Sequence, residues 1–121
     1  MKGLPTICAL AFALLPSIAA AQAAPDGATI YRQRCQVCHG VANAKPSPLG
    51  PSLSGVVGRK AASTPFAYST ALKASKLVWT RANLDKYLTG PAKMVPGTRM
   101  AMAVPDAKQR AALLDHLAKT K

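Results

Sequence analysis

The chain has almost no acid. Its 121 residues hold four aspartates and no glutamate against 16 lysines and arginines, for a formal net charge of +12. Such a polycation attracts acidic surfaces. Cysteine and histidine are equally scarce, at three and two residues, and they gather only once. A structural zinc, which needs four such ligands, is therefore excluded. Aromatic residues amount to 5%, too few to fill the core of a domain of this size by themselves. There is no strand alternation, internal repeat or linker, which leaves one helical domain. No apolar run reaches the roughly 20 residues that span a bilayer, since the longest one is cut by Pro16. Nor is there a basic amphipathic helix suited to a lipid surface.

What the chain does have is Cys35-Gln36-Val37-Cys38-His39. Two thiols three positions apart with a histidine directly behind them form the attachment signature of a c-type haem. Each thiol can become a thioether to one vinyl group of the porphyrin, and His39 then falls beneath the iron as its proximal ligand. A thioredoxin-like redox pair would need a βαβ pattern around the motif, and none is present.

The amino terminus reads as a removable export signal over residues 1–24. Lys2 is its positive region, residues 7–15 its apolar region, and Ala21-Gln22-Ala23 the small-residue cleavage pattern, with cleavage expected after Ala23 or Ala24. Cys8 leaves with it, so no disulfide is expected. The remaining domain, 25–121, has 97 residues, 15 basic side chains and four aspartates, for a charge of +11. At that length a protein-only core is marginal, and the macrocycle is expected to supply much of it.

The pattern of elements is all-α, three to four helices joined by long Pro/Gly-rich loops. Asp26 can cap a first helix that runs through the haem motif, with Gly27, Ile30, Tyr31 and Arg34 along one face. Residues 41–67 are loop-like, with four prolines and three glycines, and a loop this long can wrap the edge of a ring. A short helix is expected over 69–75. A longer one follows the N-cap Thr80 and runs to Thr89, where Gly90-Pro91 ends it. The last starts near Asp106 and repeats Arg110, Leu113, Leu114 and Leu117 at the spacing of a buried face. Its natural partner is the first helix, which small Gly27 allows to approach closely.

Three methionines compete for the far side of the iron. Met100 closes the segment Met94-Val95-Pro96-Gly97-Thr98-Arg99-Met100, in which Pro96-Gly97 is a turn signal able to hold the loop against the ring. Met94 and Met102 read as packing residues. His116 offers bis-histidine ligation instead, but it lies beside the buried face of the last helix.

Taken in order, Gly27…Tyr31…Cys35-x-x-Cys38-His39, Gly50-Pro51-x-Leu53-x-Gly55, Gly58-Arg59-Lys60, Trp79, Tyr87-Leu88 and Pro96-Gly97-Thr98-x-Met100 resemble the class I, mitochondrial-type cytochromes c and their bacterial counterparts. The resemblance implies the class I cytochrome c fold, wrapped around one covalent haem c held by Cys35 and Cys38. It implies His39 and Met100 as axial ligands, with the Pro51 carbonyl accepting from the other ring nitrogen of His39. It places Tyr87 and Thr98 near the methionine sulfur, and Arg59, Tyr68 and Trp79 as donors to the haem propionates. Leu72 departs from a common asparagine, His116 from an aromatic between the terminal helices, and the loop from Arg59 to Tyr68 is about one residue short.

The function implied is that of a one-electron carrier, not an enzyme: a soluble periplasmic monomer without stable membrane insertion or nucleic-acid binding. It would shuttle between redox proteins with acidic docking surfaces, such as a quinol-oxidising complex and a terminal oxidase. Arg34, Lys93 and Arg99 would form the docking rim by the same resemblance. The alternative is a dedicated haem subunit of a periplasmic dehydrogenase. An open-iron enzyme or gas sensor is disfavoured by the available methionine.

Overall fold

A computed structural model of the chain describes residues 1–3, 13–14, 16–17, 25–41 and 47–121. The cleavage positions expected at 21–24 and most of the apolar stretch 7–15 lie outside the described residues, as does 42–46 of the long loop. Six helices occur among the described residues. Four are those the sequence predicts, and the other two are single turns.

α1 spans Gly27–Arg34, and the Asp26 side chain accepts from the Thr29 N–H at 2.7 Å to cap it. It does not continue through the haem motif. Cys35 turns out of line at φ −111°, and a separate turn, α2 (Gln36–His39), carries the second thiol and the histidine. Gly40 stops α2 at a φ of 69°, in the region where a side chain is strained. α3 (Thr70–Ser75) is capped by Ser69 and closes on Lys76 in the left-handed region. α4 (Arg81–Thr89) is capped by Thr80, which accepts from Asn83 N–H at 3.1 Å. Extended Gly90 ends α4 after Thr89, as expected, but the chain does not stay out of helix. It restarts as α5 (Pro91–Met94), with Pro91 at the first position, where its missing N–H costs nothing. α6 (Ala107–Lys119) starts on Asp106, whose carboxylate accepts from Gln109 N–H at 2.8 Å.

The core forms where α1 crosses α6. Ile30, Leu113, Leu114 and Leu117 are 1%, 0%, 2% and 4% exposed. A Cβ built on Gly27 would lie 2.7 Å from both the Ala112 carbonyl carbon and the His116 Cβ, so the two helices meet backbone to backbone at that point. His116 turns its ring toward Tyr31, with centroids 5.5 Å apart. α4 is tied to α6 through Arg110. That guanidinium donates to Asp85 at 2.8 Å and to the Val104 and Pro105 carbonyls at 3.0 and 2.7 Å, pinning the end of the loop that carries Met100.

All four aspartates are used inside the fold. Asp26 and Asp106 cap helices, Asp85 pairs with Arg110, and Asp115 pairs with Arg81 at 2.8 Å. Two isolated bridges, Ser47 with Gly50 and Lys60 with Val78, are the only extended pairings among the described residues. No described helix is long and apolar enough to cross a membrane.

Candidate haem site

The site has one side built by the motif and another built by the 95–100 turn. On the first, α2 presents Cys38 and His39 while Cys35 sits at its foot. Neither Cys35 nor Cys38 is in a disulfide. Cys35 is 8% exposed, and burial pushes its thiol up to about 11, against the opposing pull of Arg34. His39 Nδ1–H donates to the Pro51 carbonyl at 2.8 Å. That bond fixes the ring and its tautomer, leaving the lone pair on Nε2. Burial lowers the pKa of His39, an effect the Pro51 bond only partly opposes, so the imidazole is neutral near pH 7 and its lone pair is available.

Gly50 lies flush against the same ring. A Cβ there would be 3.0 Å from both Nδ1 and the Cys38 carbonyl oxygen, so glycine is needed for the close approach. Tyr31 secures the exit from α2 by donating to the Gly40 carbonyl at 2.6 Å.

On the other side, Thr98 N–H donates to the Val95 carbonyl at 3.0 Å. Pro96 is second in this turn and Gly97 third at φ 92°, the arrangement of a type II turn. Tyr87 and Thr98 share a hydroxyl–hydroxyl bond of 2.6 Å. Burial raises the Tyr87 pKa, and Thr98 partly offsets the rise. Met100 is partly buried and packs on the core, whereas Met102 is 45% exposed. Met94 also packs on the core, facing the groove lined by Ala71, Ala74 and Leu77.

The residues that the resemblance assigns to the ring edge are held as follows. Trp79 is 6% exposed with its ring 4.9 Å from that of Tyr87. Tyr68 is buried, and its hydroxyl meets that of Thr64. Leu72 packs on the core. Arg59 spends two guanidinium N–H groups on backbone, donating to the Ser54 and Ser52 carbonyls at 2.9 Å each. Of the expected rim, Lys93 and Arg99 are exposed and Arg34 is half-buried. Arg99 also donates to the Ala67 carbonyl at 2.6 Å, a role no sequence signal indicated.

The donor set fits a haem better than a bare ion. Among the described residues no three Cys, His, Asp or Glu side chains group to hold a metal. Two thiols one turn apart beside a neutral imidazole instead suit a covalently attached macrocycle that brings its own iron.

An all-α chain with a paired thiol and a histidine at one turn beside a buried apolar core is a covalent-haem protein, and the comparisons agree. The family model for cytochrome c matches residues 24–121. Cytochrome c type-1 from Ascaris suum is 43% identical over 94 residues, covering 76% of this chain and 83% of that protein. Cytochrome c2 from Rhodomicrobium vannielii is 42% identical over 105 residues, covering 83% of each. The solved structure of cytochrome cH from Methylobacterium extorquens superposes with a TM-score of 0.68 at 37% identity, covering 75% of this chain and 92% of that one. The chain belongs to the cytochrome c family, in its class I fold. It binds haem c through Cys35 and Cys38, and its function is the family's, electron transfer.

Proposed function

We propose that this chain is a freely diffusing periplasmic one-electron carrier whose iron is held between His39 and Met100. Haem c supplies the Fe(II)/Fe(III) couple, and methionine opposite histidine favours the reduced state relative to two histidines. The chain holds both ligands still. Pro51 and Gly50 fix the His39 ring, while the Val95–Thr98 turn and the Tyr87–Thr98 bond hold the segment ending in Met100. The observation that carries this reading is that turn, with its hydroxyl pair two residues before a partly buried methionine. Arg59, Tyr68 and Trp79 would face the propionates. Arg34, Lys93 and Arg99 would form the rim that meets acidic donors and acceptors. Residues 1–24 would be the export signal, removed after Ala23 or Ala24.

The test is the absorption spectrum of the oxidised holoprotein. The methionine-to-iron charge-transfer band should vanish in Met100→Ala and persist in Met94→Ala and Met102→Ala. Persistence in Met100→Ala would refute the ligation. Electron-transfer rates that fall with ionic strength support docking through the rim, and lasting co-purification with a dehydrogenase would replace the free carrier by a subunit.

A further inference from the structure

The bond from His39 to Pro51 orients one ligand, but a carbonyl in a loop built of glycine, proline and serine does not orient itself. Pro51 opens the segment Pro51-Ser52-Leu53-Ser54-Gly55, which contains no regular element. Arg59 closes it. One guanidinium reaches two carbonyls two residues apart, Ser52 and Ser54, at 2.9 Å each, and Ser52 directly follows the residue that accepts from His39. The arginine is itself anchored from behind. Trp79 N–H donates to the Arg59 carbonyl at 2.8 Å, Gly58 N–H donates to the Trp79 carbonyl at 2.8 Å, and Arg59 N–H donates to Val56 at 3.1 Å.

A continuous set of bonds therefore runs from the Trp79 backbone through Arg59 to Ser52, Pro51 and the His39 ring. Gly50 makes this run sensitive, because the loop already touches the imidazole and a shift of a few tenths of an ångström alters that contact as well. We propose that Arg59 is a positioning residue for the proximal histidine, acting through the Ser52 and Ser54 carbonyls in addition to any contact with the haem carboxylates. The inference rests on His39 being the proximal ligand. It needs arginine specifically, since a lysine has one compact head and cannot bridge two carbonyls with a planar fork.

Exchange of the His39 Nδ1 proton with deuterium, followed by NMR in the reduced holoprotein, reads this restraint directly. In Arg59→Gln that proton should exchange about tenfold faster than in the parent, in line with the loss of bonds from a charged donor. The Leu113 and Leu114 amides in α6 should stay within about twofold. Arg59→Lys should fall between the two, about threefold faster, and it decides the matter alone if Arg59→Gln does not fold. Unchanged Nδ1 exchange, even with an altered reduction potential, would assign Arg59 to the haem carboxylates only and overturn the proposal. An equal rise in the α6 amides would do the same, as a general loss of stability. His39 ring protons without the ring-current shift of a group under the macrocycle would instead refute the ligation itself.

Discussion

Replacing Gly27 by alanine should loosen the molecule at its tightest joint. The new methyl would enter at 2.7 Å from the Ala112 carbonyl carbon and the His116 Cβ, where carbon atoms rest at about 3.5 to 4 Å. Both obstacles are backbone or the first side-chain atom, so no rotamer change relieves them, and α1 must move away from α6 by about 1 Å. A gap of that size forfeits roughly a quarter to a half of the dispersion between facing atoms, here the contacts of Ile30 with the buried leucines of α6. Overpacking of this kind costs about 1–3 kcal/mol, and the better helix propensity of alanine returns less than about 1 kcal/mol. The net loss is about 2 kcal/mol, which at a urea dependence of about 2 kcal/mol per molar moves the midpoint by about 1 M. Gly90→Ala is the control, because its methyl meets only the flexible Lys93 side chain at 3.4 to 3.6 Å, and its midpoint should move by less than about 0.3 M. Urea titration of both holoproteins by circular dichroism settles it. A Gly27→Ala protein as stable as its parent would show that the helices are not held at this contact.

Arg110→Met keeps the aliphatic stem but leaves the Val104 and Pro105 carbonyls without their donor. It should cost about 2–4 kcal/mol, whereas Asp85→Asn should cost under about 1 kcal/mol because Asp85 is 48% exposed. Equal losses in the two urea midpoints would contradict this division. The Asp26 carboxyl is held below the ordinary aspartate value of 3.8 chiefly by the Thr29 backbone N–H. Its stabilising effect is therefore present above that pH and lost as pH falls through the folded-state value. Asp26→Asn keeps an acceptor oxygen but has no proton to bind, so its acid limb should be flatter than the parent's, and superimposable limbs would exclude the effect.

The features legible beforehand are those in which a local rule and the global fold agree. The caps Asp26, Thr80 and Asp106 each accept from the third residue of their helix, and the Arg110, Leu113, Leu114, Leu117 face is buried throughout. Pro96-Gly97 makes the turn its composition predicts. The break at Cys35 was not legible, because glutamine, valine and cysteine continue a helical pattern and only the tertiary path of the motif bends it. α5 was missed for the opposite reason: Gly90-Pro91 ends one helix, yet the same proline is a good first residue for the next. The one-residue bridge between Lys60 and Val78 is too short to leave a period in the sequence. Arg59 and Arg99 read as surface charge or ring contacts, and their backbone acceptors, Ser52, Ser54 and Ala67, carry no side-chain signal at all.

The engagement of every aspartate has a consequence for how this protein can change. An acid that swung outward to meet a rival cation would uncap α1 or α6, or part Arg110 or Arg81 from its partner, so each acid already has a use within the architecture. Attraction to an acidic surface can drift weaker by shedding lysines one at a time. Reversing its sign would require acids that the present framework does not hold in reserve.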